Sequence, residues 1–133
     1  MPRSQRPDKV EPKLWRYELP CGWVVLAGKN DQDNDQLSLK IAKANDWWFH
    51  VKGLPGSHVV LQVPAGEQAD NNTLKEAAAV AAWHSKKRES NQVAVSCTQA
   101  RFVSKPRGAK PGTVQIRKEK VLKVRPAIPE ESS

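Results

Sequence analysis

"NDQDNDQLSLKIAKANDWWFH", residues 30–50, decides how this chain is read. It opens on Asn, Asp and Gln, passes through an apolar-spaced stretch and ends on two tryptophans, a phenylalanine and a histidine. Asn and Asp cap helices and bond their own backbone in turns. A helix is therefore expected from Asp33 or Asn34, with Leu37, Ile41 and Ala44 at helical spacing and Asp33, Asn34 and Asp35 as N-cap and first-turn acids. The alternation of Leu37, Leu39 and Ile41 also fits a strand. "WWFHV" (47–51) reads as a strand, in which neighbours point to opposite faces. Trp47 and Phe49 then share one face, and Trp48 and His50 the other.

Working outward, "LWRYEL" (14–19) and "WVVLAG" (23–28) read as two short strands joined by a turn at Pro20, Cys21 and Gly22. "SHVVLQV" (57–63) pairs with "WWFHV" around "KGLPG". "TLKEAAAVAAWHSKK" (73–87) is a helix opening on a Thr73–Glu76 capping box, with Leu74, Ala77, Ala78, Ala81 and Ala82 as a stripe of small side chains fit to lie close on a sheet. "QVAVSCTQARFVS" (92–104) alternates as a strand with Val93, Val95 and Cys97 on one face. "KPRGAKPG" (105–112) is a loop, and "TVQIRKEKVLKVRP" (113–126) gives one or two more strands. The sum is one α+β domain, residues 14–127, with a mostly antiparallel sheet of five to six strands and two helices. Residues 1–13 and 128–133 read as flexible tails.

The 133 residues suffice for one core. No apolar run is long enough to cross a membrane, and the polar N-terminus is not a signal peptide. Cys21 and Cys97 are far apart without metal spacing, so a cytoplasmic protein with reduced thiols is expected, with no cofactor and no metal. Cys97 sits in an apolar alternation and reads as core rather than nucleophile. The sequence does not define an oligomeric state.

The net charge is +8, and residues 101–125 carry all of it: Arg101, Lys105, Arg107, Lys110, Arg117, Lys118, Lys120, Lys123 and Arg125 against Glu119, nine minus one. So concentrated a basic segment points to a polyanion, RNA or DNA ahead of membrane. Trp48, if exposed beside His50 and Lys52, would stack on an unpaired base. The Asn/Asp run at a helix start could hold a base edge or hydroxyl, though its acids oppose phosphate. His50 and His58 flank the "VKGLPGS" turn and could form an acid–base pair with Asp46 or Asp35, which would make the protein a small RNA-processing or RNA-modifying enzyme. A protein-interaction adaptor would leave the basic segment unexplained.

Three stretches also carry a family resemblance: "GKNDQDNDQLSLKIAKANDWWFHVKGLPGSHVVL" (28–61), "TLKEAAAVAAWHSK" (73–86) and "VSKPRGAKPGTVQIRKEKVLKVRP" (103–126). Together they resemble the RNA-binding C-terminal module of NFACT proteins, the fibronectin-binding-protein-A-like factors of ribosome-associated quality control, over about residues 16–126. The resemblance implies RNA binding, carried onto Asn34, Asp35, His50, Ser57, His58, Lys105 and Lys110. Lys29, Asn30, Trp48, Lys52, Arg101 and Arg107 complete the candidate RNA-binding set. It implies tRNA or ribosomal RNA as partner, and the large ribosomal subunit for the full-length factors. Those factors work with an N-terminal domain, a helix-hairpin-helix segment and a coiled coil, none of which is recognisable here. The expectation is a stand-alone module, and chain-tailing activity is not carried over. Whether the module acts chemically on RNA stays open.

Overall fold

The structure, a computed structural model, describes residues 12–129. Six strands form one antiparallel sheet: β1 (Leu14–Glu18), β2 (Val24–Gly28), β3 (Trp47–Val51), β4 (Val59–Leu61), β5 (Val93–Gln99) and β8 (Lys120–Val124), in the order β1-β2-β4-β3-β5-β8. A separate two-stranded ladder joins β6 (Val103–Ser104) to β7 (Gln115–Ile116). Two helices, α1 (Asp31–Gln36) and α2 (Asn71–Trp83), complete a single α+β domain. No helix among the described residues is long and apolar enough to cross a membrane.

Period-two alternation assigns the two faces of the sheet. Val25, Ala27, Phe49, Val51, Val59, Leu61, Val95 and Cys97 point to α2, whose Leu74, Ala77, Ala78, Ala81 and Ala82 are buried against them. The small stripe is what lets the helix approach so closely, as expected. The opposite face holds Leu26, Trp48 and Val60 under Leu37, with Val103, Val114 and Ile116 packed at the margin. Thus both faces of β2, β4 and β3 are covered.

Local departures from the sequence reading have physical causes. The first helix starts at Asp31, not at Asp33 or Asn34, because Asn30 is the cap: its Oδ1 accepts the Asp33 N–H at 2.8 Å. The helix then widens over Leu37–Ile41 into a π turn, with the Ala42 N–H donating to the Leu37 carbonyl at 2.9 Å. Ala44 lies beyond it, and no strand forms there. In α2 the cap is Asp70, whose carboxylate accepts the Thr73 N–H at 2.8 Å, so the Thr73–Glu76 capping box is not the start. Asp70 presents an oxygen three residues earlier and takes the role first.

The expected flexible tails, 1–13 and 128–133, fall mostly outside the described residues. Within them, the Lys13 N–H donates to Asp33 at 3.0 Å, and Ile128 packs on the α2 core.

Candidate nucleic-acid interface

The Asn/Asp run is consumed by the fold itself. Asn30 caps α1. Asp33 holds the Lys13 backbone. The Asn34 Oδ1 accepts the His58 N–H at 3.0 Å, reaching across Gly28. A Cβ on Gly28 would lie 2.1 Å from that oxygen, so only glycine admits the contact. One Asp35 oxygen accepts the Gly112 N–H at 3.0 Å, and the other pairs with the Lys105 ammonium at 3.1 Å. Gly112, at φ +87, passes so near α1 that a Cβ would meet the Asp31 carboxylate at 2.7 Å. The run therefore clamps the 105–112 loop and the β4 start onto α1. Asn34 is buried and Asp35 committed, which corrects their reading as base-edge contacts.

Below this clamp lie the two histidines. The register of β3 with β4 brings their rings edge-on, centroids 5.4 Å apart. Ser38 Oγ accepts the Trp48 indole N–H at 2.9 Å and lies 2.8 Å from His58 Nδ1. Since Ser38 Oγ already accepts from Trp48, the consistent assignment has its hydroxyl donating to Nδ1. Burial, then the neighbouring His50, push His58 down to about 4. Burial also lowers His50. Burial thus favours the neutral form of both rings. Asp46 is no partner to them. It lies at the opposite end of β3, buried, accepting the Lys43 and Val63 N–H groups at 2.9 Å each. Trp48 is 4% exposed and wedged against both histidines, so it offers no free face to a base. That overturns the expected stacking role: the π turn covers the face that would have been open.

The basic segment fares differently. Eight of its nine cations are exposed; only Lys105 is not. The Lys105 ammonium donates to the Lys110 carbonyl (2.6 Å) and the Thr113 carbonyl (3.0 Å) and forms an ion pair with Asp35 at 3.1 Å. It fixes the loop, and its charge is paired within the fold. Arg107 and Lys110 project from the loop it secures. Arg117, Lys118, Lys120, Lys123 and Arg125 line the turn and edge strand β8, with Val121 exposed among them. These five belong to the charge excess but not to the candidate set drawn from the sequence, although the same charge run marks them.

The other candidates are scattered. Lys52 pairs with Glu119 at 3.1 Å, which also accepts from Ser96. The Ser57 hydroxyl donates to the Gly28 carbonyl at 2.6 Å. Lys29 sits on the far edge of the sheet, 4.0 Å above the exposed Trp15 ring, which stacks on His84. Arg101 bonds the Asn45 side chain at the end of β5. Among the described residues no group of three or more His, Cys, Asp or Glu side chains is placed to hold a metal.

Comparison with known proteins adds a second line. The signature described as NFACT protein RNA binding domain matches residues 13–118. The Rqc2 homolog RqcH of Bacillus subtilis is 39% identical over 129 residues, 94% of this chain and 22% of the relative. RqcH of Streptococcus suis is 44% identical over 103 residues, 77% of this chain and 18% of the relative. This chain spans about a fifth of the length of these curated relatives. The C-terminal part of the fibronectin/fibrinogen-binding protein of Streptococcus suis superposes with a TM-score of 0.81 at 39% identity, over 94% of this chain and 50% of that one.

Proposed function

The chain belongs to the NFACT RNA-binding domain family, and from that premise we propose that its ligand is tRNA or ribosomal RNA, bound in service of ribosome-associated quality control in the cytoplasm. The observation that carries the reading is the exposed row of cations from Arg107 to Arg125, running along the Lys105-fixed loop and edge strand β8. Arg107 and Lys110 on the loop, with Arg117, Lys118, Lys120, Lys123 and Arg125, are the phosphate contacts. Their placement at one sheet edge suits a backbone passing alongside rather than a pocket for a free nucleotide. The large ribosomal subunit is the surface on which such an RNA would be presented, as the family resemblance implies. Binding, not turnover, is the proposed activity, since the exposed basic row accounts for a polyanion partner without chemistry.

The test is the salt dependence of binding to purified tRNA and to ribosomal RNA fragments. Each neutralised phosphate contact lowers the log–log slope by about 0.7–0.9. Arg107→Ala with Lys110→Ala should weaken binding and reduce the slope by about 1.4–1.8, with the melting temperature unchanged. A folded double variant with the wild-type slope would put the RNA elsewhere.

A further inference from the structure

At the end of the sheet away from the histidines, a cleft of about 450 Å³ opens between the ends of β3 and β5 and the loop that leads into α2. Its lining combines one aromatic ring with several polar side chains. Trp47, half-buried, supplies an aromatic face, Glu67, Gln68 and Gln99 supply a carboxylate and amides, and the Arg101 guanidinium is held at the site by its bond to the Asn45 Oδ1. We propose that this cleft takes one unpaired nucleotide of the bound RNA, its base against Trp47 and its phosphate at Arg101. The inference rests on the RNA-binding reading and extends it from backbone contact to base recognition.

Three observations support it. First, the cleft is built rather than incidental. The buried Asp46 carboxylate holds the Lys43 and Val63 backbones, and its carbonyl accepts the Ala100 N–H at 2.8 Å. The Arg101 N–H reaches the Ala44 carbonyl at 3.3 Å. These bonds lock the 43–46 turn, the end of β4 and the end of β5 together, and fix the positions from which Asn45, Trp47, Gln99 and Arg101 project. Asp46 is thus a positioning residue for this site. Second, the chemistry matches a base edge. Amides both donate and accept, and a carboxylate accepts from amino and imino groups, which selects bases carrying such donors. Stacking on an indole is indifferent to sequence, so the polar rim would supply the preference. Third, the charge is ordered. Glu67, on the loop that leads into α2, would repel a phosphate, while Arg101, the first cation of the basic segment, follows the end of β5. The phosphate would therefore sit at Arg101 and away from Glu67.

The experiment titrates ¹⁵N-labelled protein with a short single-stranded purine-rich RNA and, in parallel, with a fully paired RNA duplex. The indole N–H signal of Trp47 is assigned by its absence from Trp47→Phe. The expected result is that this signal shifts with the single strand and not with the duplex. Affinity for the single strand should fall about tenfold in Glu67→Gln and in Gln99→Ala, both with wild-type melting temperatures. If the single strand binds both variants with full affinity and the Trp47 signal stays still, the cleft is not the site, while the salt-slope result for Arg107 and Lys110 would still stand. If no RNA binds the wild-type protein at all, the cleft proposal falls together with the RNA reading.

Discussion

Gly28→Ala isolates the contact on which the α1 clamp depends. The new methyl would lie 2.1 Å from Asn34 Oδ1 and 3.0 Å from the Asn34 backbone nitrogen. The backbone nitrogen is held in the first turn of α1 by its bond to the Asn30 carbonyl at 2.8 Å, so the side chain must yield. Yielding releases the His58 N–H, which is buried and has no water to turn to. An orphaned buried N–H costs about 1–3 kcal/mol, and overpacking adds about 1–3 kcal/mol. The entropic gain of Gly→Ala offsets about 0.4–1 kcal/mol of this. The net is a loss of about 3 kcal/mol, which lowers the melting temperature of a domain this size by about 10 °C. Urea unfolding followed by tryptophan fluorescence measures it. Asn34→Ala alone orphans the same N–H, but with it in place the methyl added at position 28 has room. The double variant should therefore fall short of the sum of the singles by about 2 kcal/mol. A Gly28→Ala protein within about 0.5 kcal/mol of wild type, or an additive cycle, would refute the argument.

Other outcomes follow from the same geometry. Lys105→Ala should speed hydrogen exchange at the Gly112 amide by about tenfold, as expected for a local loss of about 1.4 kcal/mol, while the α2 amides are unaffected; equal exchange would show that Lys105 does not secure the loop. The folded pKa of His58, about 4, lies below its unfolded value near 6.5, so the unfolded chain takes up the proton first and stability falls as pH drops through that window. Between pH 6.5 and 5 His58 should account for about 2 kcal/mol, and His50 and His84, lowered as well, act with the same sign; His58→Gln should flatten the urea-midpoint profile, and an equally steep profile would count against the buried neutral ring. Ala81→Leu should destabilise by about 1–3 kcal/mol, because Ala81 is fully buried against the sheet, and an unmoved melting curve would reject that packing.

The strands and α2 were legible in the sequence because each buries one face, and burial writes itself as alternation or as a helical stripe. The start of α1 was not fixed to the residue, since Asn30, Asp33 and Asn34 are all competent caps and only the three-dimensional position of the Asp33 N–H chooses between them. The π turn hid for the related reason that Leu37, Leu39 and Ile41 satisfy two periodicities. The concentration of charge in 101–125 was plain, but the internal partners of Lys105 were not: two lie within eight residues as backbone carbonyls, and the third is Asp35, seventy residues away. Long-range pairing also explains why Asn34, Asp35 and Trp48 read as ligand contacts and proved to be internal. The cleft over Trp47 left no trace, because its lining comes from three separate stretches with no common spacing.

The strand order has a mechanical meaning. Alternating strand directions through β1-β2-β4-β3-β5-β8 put the start of β1 and the end of β8 at the same end of the sheet, on opposite margins. Five inter-strand spacings of about 4.8 Å separate them, roughly 24 Å. A load applied between these two points acts perpendicular to the strands. It peels the ladder open bond by bond from its margins, whereas a load along the strands would have to shear a whole row at once. The domain should therefore yield to low force when pulled by its ends, whatever its resistance to heat or urea.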